Sequence, residues 1–386
     1  MKKNELLFLI FGITFAIPVS GGITVADFIV PIFILIVFLG NLLSGKRILN
    51  FKKRELILCS LFFSYVIVYL LSDVFAEISI NGILRDQLKL LSVFVLALSF
   101  SNSKERIASA LLFFIVGYAT VNLVIVLKGD LAGHNFWRHG VGESITLAIA
   151  CVLPYKKKSF SVMSLFLLCL LNIITDFRGM AGVMLLSCLV LTFSGFLKFS
   201  FEKKVLVLLF VALLTFSSVF YYVSSYSEHA TRRGQSDLVR ASMVALAISD
   251  MLKPNFFGNG SEKFMNDFRV PDLDNAFLAG TIDGKLPLHG YLFVASYEAG
   301  KLGLFFFAVI ICLIFKQVLL AVLYGLSLSR FSVLIVLIYF SYSSFMQAFS
   351  GFDRFVFGLS LGALMSGVSL CRQPNFKYDD KTKYLD

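Results

Sequence analysis

Apolar residues in this chain come in long blocks separated by short polar punctuation. The blocks run over roughly 6–18, 27–44, 55–72, 88–101, 107–127, 140–154, 159–175, 180–197, 205–223, 302–325, 331–349 and 352–370. A helix needs about 20 apolar residues to cross the hydrocarbon core of a bilayer. The pattern therefore predicts an all-α integral membrane protein with about 12 transmembrane helices, the first and sixth of them short. One long polar interval, 224–301, separates the ninth block from the tenth. Within it, SDLVRASMVALAISDML spaces its apolar residues as a short amphipathic helix does, and KPNFFGNG closes that helix with proline and glycine. The chain divides into helices 1–9 over 1–223, the loop over 224–301, helices 10–12 over 302–370, and a tail over 371–386. No internal repeat is visible, which weighs against an inverted-repeat transporter.

Composition agrees with the blocks. The chain is 58% hydrophobic with 43 Phe and only 15% charged residues, and its mean hydropathy is +0.84. Soluble domains sit nearer about 45–50% apolar. The start, MKKNELLFLIFGITFAIPVSGG, has a basic end and an apolar run. More apolar segments follow at once, so it reads as a retained first span and not as a cleaved signal peptide. The six cysteines, at 59, 151, 169, 188, 312 and 371, have no metal or close-pair spacing and read as small apolar fillers.

The net charge of +11 resolves into topology and does not point to nucleic acid. MKKNE, GKRILNFKKR, SNSKER, YKKKSF, LKFSFEKK, GLSLSR and the tail RQPNFKYDDKTKYLD fall on one side and hold more than half of the Lys and Arg. The opposite loops PVSGGITVAD and SDVFAEISINGI hold none. The positive-inside rule then puts both ends in the cytoplasm and the long loop outside.

That leaves the outward basic residues Arg85, Lys89, Lys128, Arg138, Arg178 and Arg354 without a topological reason. Each alone reads as a side chain snorkelling to the interface. Six on the depleted side suggest a shared anionic target, and arginine suits phosphate through its two parallel charged hydrogen bonds. Arg178 sits in NIITDFRGMAGVMLL, a tight outward hairpin, with Gly179 and Gly182 expected to allow close approach. Either Asp176 neutralises it or it binds phosphate. Arg240 lies on the expected loop helix, where a solvated arginine is the ordinary reading. Arg232 and Arg233 are equally suited to lipid headgroups.

Of the four histidines, His134 and His139 in HNFWRH are spaced poorly for zinc, and no carboxylates accompany them, so no metal site is expected. His229 carries no motif. His289 follows Pro287 at the outer mouth of an apolar segment. There an imidazole serves either as a hydrogen-bonding structural group or as a base taking a hydroxyl proton near neutral pH.

The stretch HGYLFVASYEAGKLGLFFF resembles the His…Tyr-Leu…Glu-x-Gly-x-x-Gly-Leu signature of the O-antigen ligase and polymerase family, with His289, Tyr291, Leu292, Glu298, Gly300, Gly303 and Leu304 matching its residues in order. DFRG is similar to that family's Ser-Arg-Gly hairpin, and VRASMVALAISDMLKPNFFGNG to its Arg-helix-Pro-x-x-Gly-x-Gly segment. WRHGVGES with the downstream Pro154 resembles a region of some ligases. The likeness covers roughly residues 130–310. It departs at Gly290, where the family often has Asn, at Phe177, where it has Ser, and at Ala241–Met243, where an aromatic is missing.

The resemblance implies a GT-C-like glycosyltransferase of the bacterial inner membrane, with its active site facing the periplasm and neither cofactor nor metal. The donor would be a glycan on undecaprenyl diphosphate. The acceptor would be lipid A–core sugar for a ligase, or the growing lipid-linked glycan for a polymerase; the WRH patch favours ligase. His289 would activate the acceptor hydroxyl, Arg178 and Arg240 would hold the diphosphate, and Arg138, His139, Arg85 and Tyr291 would contact substrate. Glu298 lies about 13 Å along a helix from His289, so a packing role is expected for it, paired with Lys301 one turn on. A flippase or other polysaccharide transporter is the reading from another class. It calls for charges at mid-membrane depth, and Lys316 is the exception in spans otherwise almost free of them.

Overall fold

The computed structural model describes chiefly residues 3–20, 23–43, 53–103, 107–127, 142–152, 158–175, 177–194, 256–261, 290–346 and 351–370, with a few single positions between. Its elements, in chain order, are α1 (Lys3–Ala16), β1 (Pro18–Ser20), β2 (Ile23–Thr24), α2 (Val25–Leu43), α3 (Lys53–Phe75), α4 (Ile80–Ser103), α5 (Ile107–Leu127) and α6 (Gly142–Val152). There follow α7 (Lys158–Ile174), α8 (Arg178–Phe193), α9 (Tyr291–Tyr324), α10 (Phe331–Met346) and α11 (Gly351–Met365), with a 3₁₀ turn at Leu328–Arg330. Every apolar block of the sequence carries a helix except 205–223, which lies outside the described residues. The loop helix expected over 236–252 also lies outside them apart from single positions.

Three described helices are long and apolar enough to cross a membrane: Lys53–Phe75, Ile107–Ile125 and Tyr291–Tyr324. Lys158–Ile174 and Phe331–Phe345 are apolar but shorter. The side chains on the bundle's outer faces are large and apolar, among them Ile67, Val116, Phe305 and Phe315. An exterior rich in large apolar side chains fits a membrane-embedded protein, because lipid tails and not water solvate it.

Among the described residues the architecture is helical with one exception. PVSGGIT, read as a plain outward loop, forms an antiparallel two-stranded ribbon with Pro18 opposite Thr24 and Ser20 opposite Ile23. It turns straight into α2 through TVAD, whose aspartate reaches back to the start of its own helix. Asp27 Oδ2 accepts the Thr24 N–H at 2.7 Å and its hydroxyl at 3.0 Å. That pairing satisfies a donor that no helical carbonyl can reach.

Aromatic side chains fill the interior. Phe62 of α3 stacks on Phe94 of α4 with ring centroids 5.2 Å apart, and Tyr65 stacks on Phe306 of α9 at 4.6 Å. Phe340 of α10 stacks on Phe357 of α11 at 4.8 Å. These rings join α3, α4, α9, α10 and α11 into one core. Hydrocarbon solvates an apolar side chain as well as the core does, so helix association in a bilayer rests on such close packing.

Candidate functional site at the break in helix α9

Helix α9 is two helices. Gly300 has φ 69° and ψ −159°, far from helical values, so a first half over 291–299 meets a second half over 301–324 at an angle. The sequence boundary between loop and tenth apolar block, at 301–302, falls on this break. Only glycine takes such a conformation without strain. A break in a helix also leaves carbonyls on its first half without their usual donors.

Those carbonyls receive donors from a segment about 40 residues earlier in the chain. The Asn259 N–H donates to the Tyr297 carbonyl at 2.8 Å, and the Gly260 N–H to the Glu298 carbonyl at 3.2 Å. The Asn259 side-chain amide donates to the Tyr297 carbonyl at 3.3 Å. The other side of this strap, 256–261, is tied to the end of α3. Gly258 N–H donates to Ser72 Oγ at 3.2 Å, and Ser261 N–H to Asp73 Oδ1 at 2.8 Å. The fit is close: a Cβ on Gly258 would come 2.2 Å from the Glu298 carbonyl, and one on Gly300 would come 2.4 Å from the Phe256 carbonyl oxygen. KPNFFGNG and YEAGKLG, two motifs far apart in sequence, thus share one junction.

The junction adjoins ionisable side chains. Tyr69 of α3 donates its hydroxyl to the Glu298 carboxylate, and Asp86, Asp73 and Lys89 act on Glu298 electrostatically. The expected Glu298–Lys301 pair is not formed. The break at Gly300 destroys the helical register that would join them, Glu298 turns to Tyr69, and Lys301 is exposed. On α4, Asp86 sits between two cations. Lys89 Nζ reaches its Oδ1 at 2.8 Å, and Arg85 meets both oxygens, Nε to Oδ1 at 3.3 Å and Nη2 to Oδ2 at 3.2 Å. Arg85 thus already makes with a carboxylate the two-pronged contact that it would offer a phosphate.

A second polar cluster lies where α2, α4, α10 and α11 pack. Arg354 Nη2 donates to Asp27 Oδ2 at 2.8 Å and to Thr24 Oγ1 at 3.3 Å. Ser92 donates to the other Asp27 oxygen at 3.0 Å. Both charged side chains of this pair are fully buried. Next to it, Tyr339 donates to Asp353 Oδ1 at 2.9 Å. Arg354, for which the sequence left open either snorkelling or a shared anionic target, therefore meets an internal carboxylate.

Tyr291 opens α9 and is buried, its ring 6.2 Å from that of Phe340. Before it, Gly290 has φ 86°, and a Cβ there would come 2.7 Å from the Phe345 carbonyl oxygen. Glycine at 290 thus has a local physical reason. Arg178 is the first residue of α8. Beside it, a Cβ on Gly179 would meet the Tyr342 hydroxyl at 1.8 Å, while Gly182 has nothing within 4 Å. The close approach expected of both glycines holds for Gly179 alone. His289, Arg240, Arg138 and His139 lie outside the described residues. Among the described residues there is no group of His, Cys, Asp or Glu able to hold a metal.

Tyr69, Asp73, Asp86 and Asp27 enter as partners only through the fold. Asp27 had a visible signal, a capping pattern TVAD opening an apolar block. Its pairing with Arg354, 327 residues away, had none. Comparison of the chain with models of protein families, with curated proteins and with solved structures finds no match.

Proposed function

We propose that this chain is a polytopic glycosyltransferase of the O-antigen ligase and polymerase type, with about 12 membrane-spanning helices and a GT-C-like architecture. It resides in the bacterial inner membrane with its active site on the periplasmic face. The donor is a glycan on undecaprenyl diphosphate, and the acceptor is lipid A–core oligosaccharide. His289 takes the proton of the acceptor hydroxyl as that oxygen attacks the anomeric carbon. Arg178 and Arg240 stabilise the charge that develops on the departing diphosphate, so no cation is required. Arg138, His139, Arg85 and Tyr291 bind the substrate, as the family resemblance implies.

The observation that carries this reading is the strap. The resemblance rests on motifs spread along the chain, and two of them, KPNFFGNG and YEAGKLG, meet at the break in α9 through backbone hydrogen bonds of 2.8 and 3.2 Å. The strap follows Arg240 in the chain, and the first half of α9 follows His289. A junction that ties both segments to one place suits a site that draws residues from each.

A lipopolysaccharide gel of a deletion strain tests the reading. Loss of O-antigen from lipid A–core, with accumulation of lipid-linked polymer, supports ligation. Core bearing a single repeat unit redirects the assignment to a polymerase that joins repeat units on the same carrier. An unchanged ladder with an intact carrier pool removes both.

A further inference from the structure

Away from these clusters, at the opposite ends of α7 and α8, the surface holds a groove of about 480 Å³ lined by Lys158, Ser159, Val162, Met163, Phe166 and Thr192. Its two ends differ in chemistry. Val162, Met163 and Phe166 lie along one face of α7, and Met163 and Phe166 are half exposed on the lipid-facing surface. At the mouth, Lys158 Nζ donates to the Thr192 carbonyl at 3.1 Å and to the Ser194 carbonyl at 3.3 Å. These are among the last carbonyls of α8, where a cation is favoured by the helix dipole. An ammonium carries three donors, so the two carbonyls fix its position and leave one donor for a ligand. Ser159 adds a hydroxyl in the first turn of α7, a helix start that favours negative charge.

We propose that this groove is a binding site for an anionic phospholipid, its phosphate on Lys158 and Ser159 and one acyl chain along Val162, Met163 and Phe166. Charge selects the occupant: a zwitterionic lipid fits the apolar floor equally well, but its own ammonium meets that of Lys158. In the sequence, the basic run YKKKSF leads into α7 and adds the same preference. A free phosphate lacks the part that the apolar floor recognises. The site rests on the chain lying in a membrane and not on glycan transfer, so it stands or falls independently of the enzymatic reading.

The test uses the full chain purified in detergent, titrated with phosphatidylglycerol, phosphatidylethanolamine of the same acyl chains, or glycerol phosphate. Bound lipid is counted by native mass spectrometry and thermal stability is followed in parallel. Phosphatidylglycerol is expected to bind and to raise the melting temperature more than phosphatidylethanolamine, and glycerol phosphate to do neither. Lys158→Gln should weaken phosphatidylglycerol binding about five-fold, the effect of one basic group near an anionic headgroup. Met163→Trp, which fills the floor and leaves the lysine in place, should abolish binding without lowering the melting temperature of the lipid-free protein. Equal binding of the two lipids, full retention by Met163→Trp, or a response to glycerol phosphate alone would each overturn the proposal.

Discussion

The Ser261 amide donates to the Asp73 carboxylate at 2.8 Å, joining positions 188 residues apart in sequence. Asp73 is fully buried at the end of α3, so this contact fixes one edge of the strap while the broken helix holds the other. Removing the acceptor should release that edge. Asp73→Ala leaves a buried amide without a partner, a loss of about 1–3 kcal/mol, while Asp73→Asn keeps an oxygen in the same place. Limited proteolysis should cut the alanine variant faster near 256–261 and leave the asparagine variant close to wild type. Identical cleavage of all three would mean the contact does not hold the strap.

The break in α9 gives a second prediction with its own control. Gly300→Ala forces a Cβ to 2.4 Å from the Phe256 carbonyl at a φ of 69°. Strain of this kind costs on the order of 1–3 kcal/mol. Gly182→Ala meets open space within 4 Å and should be neutral or slightly stabilising, since alanine is the better helix former. Thermal unfolding of the two variants in the same detergent separates them; equal melting temperatures would contradict the packed junction.

Much of this arrangement was legible in the sequence, and its gaps have physical causes. Block length depends only on local runs of apolar residues, so the helix positions could be read along the chain. The pairing of KPNFFGNG with the Tyr297 and Glu298 carbonyls could not, because backbone amides carry no side-chain signature. The Glu298–Lys301 expectation failed at a glycine that interrupts the register between them. Arg354 and Asp27 illustrate a different gap. Each stands near the start of an apolar helix, and a lone charge there looks the same whether its partner is an external phosphate or a carboxylate from the far end of the chain.

That pair yields a third prediction. Arg354 and Asp27 are both fully buried, with their charged atoms 2.8 Å apart. Arg354→Met leaves the Asp27 carboxylate without its cation, which should cost about 3–5 kcal/mol. Adding Asp27→Asn removes the stranded charge and should restore much of the loss. A double-mutant cycle on unfolding in detergent measures the coupling. Additive effects would show that the two side chains do not depend on each other.

Orientation supplies the fourth. The Lys/Arg bias predicts a cytoplasmic position for the segment after α8 and an outward one for the long loop. A topology reporter fused after Lys204 should read cytoplasmic, and one within 260–285 periplasmic. A cytoplasmic signal from the second fusion would place the strap and His289 on the wrong side for a periplasmic acceptor.

The most direct test of the central claim is glycan transfer by purified protein in excess EDTA, comparing wild type with His289→Ala at matched protein level. Wild type should transfer the lipid-linked glycan without a divalent cation. The alanine variant, equally stable and inserted, should lose about 10²–10⁴ in rate, as loss of a general base typically does. Near-normal transfer by His289→Ala, or a wild-type rate that returns only when Mg²⁺ or Mn²⁺ is added, would contradict it.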